Sequence, residues 1–139
     1  MAVRPMRSSD QVQVQALARS LWPDAAPYKF RGEHVFVWER ASGTLGGFAS
    51  ISIRARVDGS DSEPCPHVEG WYVEPDLRRS GVGRALLAAI ETWCRAQGFS
   101  EFTSDTEIAN EISIRAHAAV GFEPTEQIQY FKKTISKRP

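Results

Sequence analysis

Three arginines and two glycines crowd into Arg78-Arg79-Ser80-Gly81-Val82-Gly83-Arg84, directly ahead of an apolar stretch with helical spacing. The first turn of a helix leaves backbone N–H groups unpaired and carries partial positive charge. Glycine at positions 81 and 83 removes side chains that would hold an anion away from those groups. Arg78, Arg79 and Arg84 add positive charge around them. The pattern suits a phosphorylated ligand. It is not a P-loop, because no Gly-Lys-Ser/Thr follows, and it lacks the third glycine of a dinucleotide fingerprint. A surface turn with solvated arginines would read the same way, and the turn by itself leaves both open.

A strand has to deliver the chain into that turn. Residues His67 to Val73 (HVEGWYV) supply it, with Gly70 in the interior as a sign of a bulge or a close backbone approach. A helix has to follow, and Val82, Ala85, Leu86, Ala89, Ile90 and Trp93 recur at its spacing until Gly98 closes it. Upstream, Val3 to Met6 reads as a strand. Ser9 or Asp10 offers an N-cap to a helix with Val14, Leu17, Ala18 and Leu21 on one face, stopped at Trp22-Pro23-Asp24. His34 to Arg40 and Leu45 to Val57 read as strands, and residues 58–66 as a loop. Downstream, Phe99 to Thr103 fits a short buried strand, Glu111 to Val120 a helix ending at Gly121, and Gln127 to Thr134 a last strand. The order implies an α+β or mixed α/β sheet.

The 139 residues suit one domain throughout, and 42% hydrophobic with 24% charged residues is ordinary for a soluble globular chain. Lys plus Arg and Asp plus Glu each number 17, so the net charge is zero. That balance argues against a nucleic-acid partner, which calls for excess positive charge. No apolar run is long enough for a bilayer, and Met1 to Arg7 lacks the core of a secretory signal. Cys65 and Cys94 form no metal-ligand spacing; two reduced thiols in a cytoplasmic protein, with no metal, is the expectation.

Arg78-Arg79-Ser80-Gly81-Val82-Gly83 resembles the Arg/Gln-x-x-Gly-x-Gly/Ala signature of the GCN5-related N-acetyltransferases (GNAT). Asn110, seven residues before His117, and Gly121-Phe122 beyond it resemble that family's Asn…Tyr-x-x-x-Gly-Phe pattern, with histidine in the tyrosine's place. One branch, the aminoglycoside 6'-N-acetyltransferases, is similar over most of the chain, through Leu21-Trp22-Pro23-Asp24, Ala49-Ser50-Ile51, Val68-Glu69-Gly70-Trp71-Tyr72-Val73, Phe102-Thr103-Ser104-Asp105 and Tyr130-Phe131-Lys132-Lys133. Two departures fall on the acceptor side: a shorter stretch between Trp22 and His34, and Ala109 where the branch carries an acidic residue.

The resemblance implies a GNAT fold, α/β with a mostly antiparallel sheet, a splay between its two central strands and about four flanking helices. It implies acetyl-coenzyme A as acetyl donor, held by the amides of Ser80, Gly81, Val82, Gly83 and Arg84 with Arg78 and Arg79, by the strand Glu69 to Val73 including Trp71 and Tyr72, and by Asn110. Glu69 and Asp105 would bind a polycationic acceptor amine and take its proton through water. A backbone N–H near Tyr72 or Val73 would meet the oxyanion, and His117 would protonate the departing thiolate. Trp22, Asp24 and Tyr130 would border the acceptor; core packing of the aromatic residues, solvation of Asp24 and simple packing of His117 are the alternatives. A cytoplasmic homodimer acting on aminoglycosides is the implied whole. A different small amine acceptor, or a coenzyme A-binding module without turnover, stays beside it.

Overall fold

The structure is a computed structural model and describes residues 3–24 and 27–138. A four-stranded antiparallel sheet runs in sequence order: β1 (Val3–Pro5), β2 (His34–Glu39), β3 (Leu45–Arg54) and β4 (Cys65–Val73). Helix α1 (Gln11–Leu21) lies on one face, α2 (Val82–Ala96) on the other, and α3 (Glu111–Ala119) follows. Short 3-10 turns at Ser8–Asp10 and Pro75–Leu77 join three α-helices among the described residues, where about four helices were expected.

Alternation along the strands sends side chains to two cores. Val35 and Val37 of β2 join Phe48 of β3 beneath Val14, Leu17 and Ala18 of α1. Phe36, Ile51 and Val68 point the other way, onto Leu86, Leu87 and Ile90 of α2. Asp10 anchors the start of α1 differently from a simple cap. Its carboxylate accepts the Arg7 N–H at 2.7 Å and two bonds from Arg4, at 2.7 and 3.0 Å, and so ties the helix to β1.

A register shift opposite Ser50 and Ile51 bears out the irregularity expected at Gly70. Ser50 pairs with Gly70 and Ile51 with Val68, leaving Glu69 as the extra residue of a β-bulge. The glycine also admits Trp22: a Cβ at position 70 would lie 2.6 Å from Trp22 Cη2.

Two expected strands are not formed. Of Phe99 to Thr103, Thr103 alone pairs, in an isolated parallel bridge to His67. Val68 N–H reaches Thr103 O at 2.8 Å and Thr103 N–H reaches Pro66 O at 2.9 Å; the two segments then part. Gln127 to Thr134 lies in irregular chain, with Tyr130 83% and Phe131 90% exposed. Its alternating pattern supplies one apolar face, but a strand needs a neighbour to pair with and bury against, and none stands beside it among the described residues.

Candidate active site

Where β4 parts from the segment at Thr103, residues Glu69 to Val73 form the margin of the sheet. The opening lies where the splay was expected, but beside an edge strand rather than between two central ones, because the segment after Thr103 forms no strand. The chain then turns through Pro75–Leu77, with Arg79 at φ 62 and Gly81 at φ 90, and enters α2 at Val82. Ala85 N–H is the first to bond back into the turn, to Gly81 O at 2.9 Å. The N–H groups of Val82, Gly83 and Arg84 are thus left for a ligand.

The side chains around this turn are more committed than the sequence suggested. Arg78 Nε donates to Val73 O at 2.9 Å, and its guanidinium lies 5.6 Å from the centre of the Tyr72 ring. Arg84 Nη2 donates to Ala119 O at 2.7 Å, which pins α2 to the end of α3. Ser80 Oγ donates to Leu77 O. Arg79 is exposed and makes no hydrogen bond to the described residues. Gly83 also makes room for protein: Trp71 packs against it, and Trp71 Nε1 donates to Gly83 O at 3.2 Å.

On the α1 face, the bulge sets Glu69 against Ser52 and Arg54 of β3. Ser52 Oγ donates to Glu69 Oε2 at 2.5 Å and Arg54 Nη2 to Glu69 Oε1 at 2.7 Å. Burial pushes the Glu69 carboxyl up, but the bonds from Arg54 and Ser52 outweigh it and hold it below the ordinary range. Asp105, with its side chain 75% exposed, lies 3.3 Å from Nε2 of buried His67. Whenever Nε2 carries a proton, its bond to this carboxylate outweighs burial and holds the Asp105 carboxyl low as well. Both expected carboxylates are therefore anions, coupled through the same guanidinium of Arg54.

Sequence reasoning passed over a third carboxylate. Glu33 accepts the Tyr28 hydroxyl at 2.7 Å, and burial raises its carboxyl while Tyr28 and Ser50 oppose the shift. Tyr28 stacks on Trp22 at 4.3 Å between ring centres, and Phe30 closes edge-on against Tyr28. This aromatic cluster occupies the short stretch between Trp22 and β2. Trp22 is half-buried within it, whereas Asp24 is exposed in a turn. Arg54, Glu33 and His67 were missed because parity alone marks them, and parity matters only once register is known. The signal was present for Ser50, Ser52 and Arg54, which share one side of β3.

His117 and Asn110 both make hydrogen bonds within the chain. His117 Nδ1 lies 2.7 Å from Ser113 O, a pure acceptor, so that nitrogen carries the proton. In that tautomer Nε2 accepts from Ser104 Oγ at 2.8 Å, and the ring presents no free N–H. The ring meets Trp71 edge-on at 5.3 Å. Asn110 Oδ1 accepts Ser113 N–H at 3.0 Å as the N-cap of α3. Tyr72 donates its hydroxyl to Glu74 at 3.3 Å. Tyr130 stands in the exposed C-terminal stretch, near enough to Arg54 to act on it electrostatically.

A sheet opened at one margin, leading through a glycine turn into a helix N-terminus, with anions beside the opening, defines an acetyl-transfer architecture. The chain belongs to the acetyltransferase (GNAT) family, which residues 6–122 match. An aminoglycoside N(6')-acetyltransferase type 1 of Stenotrophomonas maltophilia is 38% identical over 142 residues, covering 96% of this chain and 93% of that one. The solved aminoglycoside antibiotic 6'-N-acetyltransferase AAC(6')-Ih of Acinetobacter baumannii superposes with a TM-score of 0.87 at 30% identity, covering 96% of this chain and 98% of that one. AAC(6')-Iy, solved with a bisubstrate analogue of coenzyme A and monomethyl-acetylneamine, superposes with a TM-score of 0.84 at 32% identity, covering 96% and 97%. Among the described residues no helix is long and apolar enough to cross a membrane.

Proposed function

We propose that this chain transfers acetyl from acetyl-coenzyme A to the 6'-amine of aminoglycoside antibiotics and so confers resistance in the cytoplasm. One observation carries the reading: two ionised carboxylates, Glu69 and Asp105, flank the point where β4 parts from its neighbour. The residues fit the donor. The margin of β4 from Glu69 to Val73 can pair with an amide-bearing arm, and the free N–H groups of Val82, Gly83 and Arg84 can hold a pyrophosphate. Bound there, the donor supplies an acetyl thioester.

Glu69 and Asp105 draw in and orient the ammonium. Because both carboxyls are held low, neither is a strong base, and the proton leaves through water. A backbone N–H at Tyr72 or Val73 meets the developing oxyanion. His117 delivers a proton to the thiolate only after taking a second one at Nε2, where Ser104 now donates. Trp22, stacked on Tyr28 and packed against Gly70 beside Glu69, forms a wall for the acceptor.

The same reading makes the protein a homodimer. Ile128, Tyr130, Phe131 and Ile135 are at least half exposed in the C-terminal stretch, a row of apolar groups suited to a second copy. Sedimentation across a concentration series tests it, with dimers expected and monomers at micromolar concentration excluding it.

The activity test is thiol release from acetyl-coenzyme A with kanamycin or tobramycin, beside an aminoglycoside bearing a 6'-hydroxyl. Release with the 6'-amines alone is expected. Release with none of them, alongside coenzyme A binding, points to another amine, with the aromatic filling between Trp22 and β2 as the reason.

A further inference from the structure

His67 is 2% exposed, yet its Nε2 finds no hydrogen-bond partner among the described residues. The other ring nitrogen explains the arrangement. Thr103 Oγ1 donates its single proton to Pro66 O at 3.1 Å, so it accepts from His67 Nδ1–H at 2.9 Å. With the proton on Nδ1, Nε2 is left bare, facing Asp105 Oδ2 at 3.3 Å. Two lone pairs opposed at that distance repel, and a proton between them converts the contact into a charge-assisted bond.

We propose that His67 is a positioning residue for the transfer reaction, storing on Nε2 the proton that Asp105 takes from the acceptor ammonium. This rests on the acceptor reading above. The steps balance. The ammonium N–H bond breaks and its proton passes through water to the Asp105 carboxylate. Asp105 hands it to the Nε2 lone pair. The imidazolium and the regenerated carboxylate then form an ion pair, while the neutral amine keeps its electron pair for the thioester carbon. After transfer the proton returns through Asp105, whose side chain is open to water.

The surroundings support a buried imidazolium formed in this way. Glu69 of β4 acts on His67 electrostatically, and the Cys65 thiol, also of β4, shares Thr103 with it at 3.6 Å. The bond from a protonated His67 draws the Asp105 carboxyl down most, burial opposes it, and Arg54 of β3 and His117 of α3 add smaller lowering influences. Asp105 thus binds the acceptor as an anion without being a strong base, and the store behind it supplies the missing basicity.

The experiment uses His67→Gln in the full chain, with melting and coenzyme A binding as checks on folding. We expect kcat/KM for a 6'-amine acceptor to fall about tenfold or more, a modest share of what a proton-transfer group commonly contributes. The KM for acetyl-coenzyme A stays within about twofold, and the acid limb of the pH profile moves. A profile parallel to wild type, or unchanged activity, overturns the proposal. If His67→Gln does not fold, Thr103→Val serves: it releases Nδ1 from its acceptor and must also move the acid limb. Nitrogen-15 NMR of the free protein decides the dyad without any acceptor. The neutral His67 ring must carry its proton on Nδ1, and a proton on Nε2 overturns the proposal. Absence of acetyl transfer by wild type would sink the acceptor reading alone, and the NMR result would still stand.

Discussion

The Glu69 carboxylate and the Arg54 guanidinium stand 2.7 Å apart across β3 and β4, so the residue best placed to attract a cationic acceptor already holds a cation. An incoming ammonium has to share or displace it. Arg54→Gln should therefore lower the apparent KM for a polycationic acceptor roughly fivefold, a change of about 1 kcal/mol. The KM for acetyl-coenzyme A should not move. Burial, no longer outweighed, should also carry the Glu69 carboxyl upward, so activity should fade at higher pH on the acid side than in wild type. Steady-state kinetics across pH checks both, and an acid limb left in place would contradict the assignment.

Gly70 is required by Trp22. A methyl group at position 70 would sit 2.6 Å from Trp22 Cη2 and 3.0 Å from Phe48 Cε2. Gly70→Ala should push the indole off β4 at a cost of about 1–3 kcal/mol in stability. Acceptor KM should rise as the wall moves. Thermal melting and tryptophan emission report the two effects separately.

Gly81 tests the donor side. Its φ of 90° is left-handed, and nothing lies within 4 Å of a Cβ built there. Any penalty at this position is therefore conformational, about 1–2 kcal/mol for a side chain. Gly81→Val should raise the KM for acetyl-coenzyme A while leaving that for the acceptor alone. Equal losses on both sides would mean that the turn supports the whole site.

Asp10 offers a stability test away from the chemistry. Its bonds from Arg4 hold its carboxyl below the ordinary value. A carboxyl depressed on folding stabilises above its unfolded pKa of about 3.9, and that stabilisation is lost as pH falls through the lower folded value. Asp10→Asn should lose about 2–3 kcal/mol at neutral pH. It should also flatten the decline of melting temperature between about pH 4 and 2. Calorimetry at several pH values follows it.

Much of this arrangement was legible in the residues. The period switch at Val82, the closing Gly98 and the turn between β4 and α2 needed nothing beyond local chemistry, and Gly70 announced the bulge. Glu69 and Asp105 came from resemblance, and the structure brings both to the opening between the strands. What stayed hidden depends on partners far along the chain. Arg84 reads as a phosphate contact until α3 places Ala119 O beside it. His117 reads as a donor until Ser104 and Ser113 occupy both ring nitrogens. Gln127 to Thr134 alternates like a strand, but alternation names a face and not the neighbour that covers it.

Past Val68, β4 offers backbone to solvent along its outer margin, with Arg78 bonded to Val73 O at its far end. An open strand margin is a template on which other chains can stack. A donor arm lying along it would act as a shield, so the colloidal behaviour of this protein should follow the coenzyme supply: stripped of it, the protein clumps in storage, and saturated with it, the solution stays clear.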